Sequence, residues 1–88
     1  MEALLKEYIE EQLRELGEDQ DVAADDDLVM VGFDSIAYVR LIAFLEGRFG
    51  IEVPDGDVTI ENFGSVANLA GYLDGRGIAE SELPRPSR

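Results

Sequence analysis

Eighty-eight residues suffice for one domain with a modest core. The chain has no cysteine and no histidine, which excludes disulfides, thiolate metal sites and a Ser/His/Asp catalytic site. Twenty acidic against seven basic residues leave a net charge of −13, which argues against nucleic acid and anionic membranes as partners and favours basic protein surfaces.

The chain opens without the basic region and apolar run of a signal peptide. No apolar stretch is long enough to span a bilayer, so the expected location is the cytoplasm. Glu2 to Leu16 reads as an amphipathic helix, with Leu5, Tyr8, Ile9, Leu13 and Leu16 at three- and four-residue steps and Gly17 as its stop. Glu18 to Asp34 then lack a helical period. This acidic connection is long for a compact domain, and Val22, Leu28, Val31 and Phe33 predict that it is pinned to the core.

Ser35 to Phe49 reads as the second helix, capped by Asp34 or Ser35 and closed by Gly50. Tyr38, Leu41, Ile42, Leu45 and Phe49 form one apolar stripe; Ile36, Val39 and Ala43 form a second, offset row. Such a helix is deeply buried or keeps one face for a partner. Ile51 to Pro54 reads as extended and Asp55-Gly56-Asp57 as a turn. Val58 to Phe63 predict one helical turn started by Thr59. After Gly64-Ser65 comes a last helix with Val66, Leu69, Ala70 and Leu73 facing inward. The predicted fold is an all-α, small four-helix bundle, three main helices and one short one, spanning residues 1–74 and followed by a flexible tail over 75–88.

Catalytic chemistry finds little support. A serine nucleophile needs a base, and Lys6 is the only lysine, with no sign that it lies near Ser35. Asp19, Asp21 and Asp25 have the first, third and seventh spacing of a calcium loop, but Ala24 replaces its glycine and Met30 its final glutamate. No metal site, phosphate-binding glycine loop or dinucleotide fingerprint is expected. What remains is Ser35, whose hydroxyl would stand beside unpaired N–H groups and the positive end of a helix dipole, where a phosphodiester is favoured. Taken alone, Asp34-Ser35 reads more readily as a plain helix cap.

The wider context decides between these readings. Asp27-Leu28, then Gly32-Phe33-Asp34-Ser35-Ile36, then Val39 and Leu41, resembles the acyl carrier protein family. Ile51-Glu52-Val53-Pro54 and the helix from Val66 to Leu73 fall where that family has comparable elements. The resemblance implies a bundle of acyl-carrier type with a long first loop. It implies that Ser35, with Asp34 beside it, receives a 4′-phosphopantetheine arm from coenzyme A, transferred by a separate magnesium-dependent phosphopantetheinyl transferase. The thiol of that arm would hold acyl groups as thioesters, supplying the sulfur that the chain lacks. The protein would then be a carrier rather than an enzyme, a monomer served by an acyl-loading enzyme and by downstream synthase or tailoring enzymes.

By the same resemblance, partners recognise the second helix through Ile36, Val39 and Ala43, flanked by Asp34, Arg40 and Glu46; core positions for Val39 and Ala43 are the alternative. Val58, Ile60 or Phe63 would shelter an acyl chain or simply pack. Arg40 stands where fatty-acid carriers usually have an acidic residue, Gly47 where another is common, and Phe33 departs from the glycine of many peptidyl carriers. These departures suggest a polyketide or other specialised biosynthetic pathway. A fatty-acid carrier, an aminoacyl or peptidyl carrier and an unmodified acidic interaction module are the alternatives. Met1 lies close to the first helix and the tail is short, which favours a discrete protein over an excised domain.

Overall fold

The structure is a computed structural model that describes residues 1–17 and 19–78. Four α-helices follow one another: α1 over Glu2–Glu15, α2 over Ser35–Phe49, α3 over Ile60–Phe63 and α4 over Val66–Gly75. A single 3₁₀ turn occupies Asp55–Asp57. The fold is all-α and of the expected carrier-type architecture, with a long first loop and one short helix. Among the described residues no helix is long and apolar enough to cross a membrane.

One face of each helix supplies the core. Leu5, Ile9 and Leu13 of α1 are fully buried at four-residue steps. Leu16 was expected to extend that stripe, but it falls on the C-cap and is 45% exposed. The helix ends there because Gly17 turns into the left-handed region at φ 88°. In α2 the buried stripe is Ala37, Leu41, Leu45 and Phe49, with Tyr38 and Ile42 half-buried along its edge. The ring of Tyr8 on α1 stacks on that of Phe44 on α2, with centroids 4.1 Å apart. Val66, Leu69 and Leu73 of α4 complete the core, and α4 packs against both α1 and α3.

The acidic connection is anchored as its apolar residues predict. Val22 and Leu28 are fully buried and Phe33 is 1% exposed. The partly buried Glu10 carboxylate accepts from Lys6 Nζ at 2.8 Å and from the N–H of Val22 at 2.7 Å, holding the loop to α1. Two of the aspartates shape the backbone. Asp26 Oδ2 accepts from Ala23 N at 2.8 Å, and Asp27 Oδ1 accepts from Val29 N at 3.0 Å. Among the described residues no three carboxylates converge on a metal position. Leu28 N donates to Gly64 O at 2.9 Å and Ala67 N to Ala24 O at 2.8 Å, so the loop is also bonded to the junction of α3 and α4.

That junction is built by two caps. Thr59 Oγ1 accepts from Asn62 N at 3.2 Å and Ser65 Oγ from Asn68 N at 3.0 Å. Beyond α4 the chain is still attached. Arg76 Nη1 donates to Glu52 O at 2.7 Å, and Ile78 lies half-buried against the core. Residues 79–88 of the expected tail lie outside the described residues.

Candidate functional site

Two side chains share the start of α2. Asp34 is the N-cap, in extended conformation at φ −100°, and its Oδ1 accepts from Ala37 N at 2.9 Å. This settles which of the two residues caps the helix. Ser35 is the first helical residue and is exposed. The cap bond is already made by its neighbour, so the Ser35 hydroxyl is not needed for that purpose. The N–H groups of the first turn and the positive end of the helix dipole lie beside it.

The outer face of α2 carries the second apolar row. Ile36 is 65% and Val39 67% exposed, and Ala43 is exposed as well. Val39 and Ala43 are therefore surface rather than core. Arg40 is exposed in the same row and lies 3.8 Å from Glu15 Oε1, a loose surface pair of little energetic weight. Glu46 was expected beside this row, but it is half-buried and its Oε2 accepts from Val53 N at 2.9 Å. Its carboxylate holds the extended segment to α2.

A mainly apolar cleft of about 350 Å³ opens against the first turns of α2. Tyr38 of α2, one turn after Ser35, forms part of its wall, together with Val29, Val58, Ile60, Phe63 and Gly64. Ile60 is 82% exposed at the rim, whereas Phe63 is buried at 2%. The structure thus brings Val58, Ile60 and Phe63 together in one cleft beside the helix start. Tyr38 donates its hydroxyl to Phe63 O at 2.8 Å, and its ring meets that of Phe33 edge-on at 4.9 Å. Burial raises its pKa above the ordinary tyrosine value, so the hydroxyl stays a donor at neutral pH.

Residues 3–73 match the family described as the phosphopantetheine attachment site. The chain belongs to the phosphopantetheine carrier family. Carrier chains in two crystal structures of a Bradyrhizobium japonicum glycine:(carrier protein) ligase complex share its fold. One is the complex of glycine:(carrier protein) ligase with glycylated carrier protein. It is 28% identical, with a TM-score of 0.69, over 81% of this chain and 96% of that one. The other is the complex with the cognate carrier protein and an analogue of glycyl adenylate. It is 27% identical, with a TM-score of 0.71, over 84% and 96% of the two chains.

The cofactor of this carrier is a covalently attached 4′-phosphopantetheine. Its phosphodiester needs an exposed hydroxyl with room around it, and Ser35 fits that need. When bound, the group supplies a thiol that forms thioesters. The chain's own contribution is to display the hydroxyl on a fixed helix end, with an apolar face and a cleft along the same helix. Tyr38 was read from the sequence only as part of the inward stripe. A hydroxyl within an otherwise apolar stripe is the one signal that hinted at a second use.

Proposed function

We propose that Ser35 is the attachment point of the phosphopantetheine arm and that the protein shuttles a small thioester-bound group between enzymes. The observation that carries this reading is the exposed Ser35 hydroxyl at the first turn of α2, with the cap bond made by Asp34 instead. Tethering holds the cargo at high effective concentration for each partner, and the protein needs no catalytic group of its own. Partners meet the outer face of α2 through Ile36, Val39 and Ala43, with Asp34 and Arg40 setting charge specificity.

The similarity to a carrier crystallised in glycylated form supports an aminoacyl or comparably small cargo, loaded by an adenylate-forming ligase. A small acyl extender in a polyketide or related specialised pathway is the second reading. Arg40 and Phe33 support it, as both depart from the patterns of fatty-acid and peptidyl carriers. The domain that does this work is residues 1–74, with 75–88 following it.

The test is mass measurement after incubation with coenzyme A, magnesium and a permissive phosphopantetheinyl transferase. Wild type gains one phosphopantetheine, and Ser35→Ala gains none while keeping its helical circular dichroism. Modification of the alanine variant would refute the assignment. Incubating the loaded protein with glycine, ATP and a glycine:(carrier protein) ligase separates the cargo readings, since only the aminoacyl reading expects a glycyl adduct.

A further inference from the structure

The cleft has Tyr38 in its wall, one turn after Ser35 on α2. Tyr38 stands between it and the core. Its hydroxyl is bonded to the Phe63 carbonyl across the gap between α2 and α3, and its ring is wedged edge-on against Phe33. Phe33 and Phe63 are themselves 1% and 2% exposed, and Leu41 and Leu45 farther along α2 are fully buried. These buried side chains fill the bundle beyond Tyr38. A chain entering there would have to displace Tyr38 and leave its hydroxyl and the Phe63 carbonyl without partners in an apolar setting. The cleft volume of about 350 Å³ is near the lower end of the range for small-molecule pockets, about 300 to 1,000 Å³.

We propose that Tyr38 is a stop that sets the length of cargo the protein shelters. A short acyl or aminoacyl group fits the cleft together with its thioester and is shielded by Val58, Ile60 and Phe63, whereas a long alkyl chain meets Tyr38 first and leaves its thioester out in solvent. This inference rests on Ser35 as the attachment point and adds a limit on cargo size set by one side chain.

The test loads the protein from butyryl- and dodecanoyl-coenzyme A with a permissive transferase and confirms one acyl arm per chain by mass. Hydroxylamine cleavage of each thioester is then timed against the free acyl-pantetheine. In wild type, the butyryl thioester is cleaved at least about fivefold more slowly than its free counterpart, and the dodecanoyl thioester within about twofold of its own. Tyr38→Leu, which removes both the hydroxyl bond and the bulk of the ring, slows dodecanoyl cleavage at least about fivefold. Tyr38→Phe keeps the ring and gives an intermediate rate.

Equal protection of both thioesters in wild type would overturn the proposal. So would a Tyr38→Leu protein of unchanged helical spectrum that leaves dodecanoyl unprotected. If Tyr38→Leu does not fold, the wild-type comparison and Tyr38→Phe decide, and a Tyr38→Phe rate identical to wild type with both thioesters protected counts against it. Absence of any mass gain on wild type is a separate outcome, which removes the attachment at Ser35 and this limit along with it.

Discussion

Asp34 and Ser35 divide the start of α2 between them, although either side chain is able to cap it. The carboxylate ends the helix by satisfying Ala37 N, and the hydroxyl is left accessible. Asp34→Ala should therefore lower stability by about 1 kcal/mol, the usual cost of losing an N-cap, as read from the urea midpoint. Ser35→Ala should stay within about 0.5 kcal/mol of wild type, as surface changes do. A large loss from the serine change would mean that it, too, supports the helix. Gly64 is constrained in another way. A Cβ there would come within 2.5 Å of Ile60 O, which is backbone and has little freedom to retreat. Gly64→Ala should cost about 1–3 kcal/mol, with the change concentrated around α3 and the cleft. Ser35 was legible in the sequence because its neighbours form a recognisable run. The bond from Tyr38 was not, because its acceptor is a main-chain carbonyl 25 residues away. No local pattern encodes a partner of that kind.

Among the elements, helix boundaries followed from composition almost residue for residue. The bounds of α2, Ser35–Phe49, agree with its sequence signals because a capping aspartate and a left-handed glycine at φ 66° define both ends. The bond of Glu46 was not legible, because it depends on where Val53 returns in space. The acidic loop was legible in its apolar anchors and not in its carboxylates, whose hydrogen bonds depend on turn geometry. Gly47 lies inside α2 with nothing within 4 Å of the position a Cβ would take. Gly47→Ala should raise stability by about 0.8–1.0 kcal/mol, and the thermal midpoint by several degrees, with no effect on arm loading. The loop anchor predicts a pH response. The bond from Lys6 first, and then that from Val22 N, hold the Glu10 carboxyl below its ordinary pKa. A depressed folded pKa contributes stability above the unfolded value of about 4.3 and loses it as pH falls through the lower folded value. Urea midpoints followed downward from neutral pH should thus fall less steeply in Glu10→Gln than in wild type across that window. Parallel curves would show that the anchor contributes nothing through its charge.

Over the whole molecule, charge is the dominant property. A net −13 on 88 residues opposes compaction through self-repulsion, and a bound phosphodiester adds to it. Raising ionic strength from about 0.01 M to about 0.1 M shortens the screening length from about 30 Å to about 10 Å and should raise the thermal midpoint. Identical midpoints at the two concentrations would contradict this account. The same composition also bears on the survival of a thioester. The chain contains one lysine, no cysteine and no histidine. The bond to Glu10 raises the pKa of Lys6 further above neutrality, where a lysine amine is already protonated. No side-chain amine, thiol or imidazole is thus poised to steal an activated acyl group. The Glu10 carboxylate that fastens the loop to α1 thus also engages the chain's one lysine.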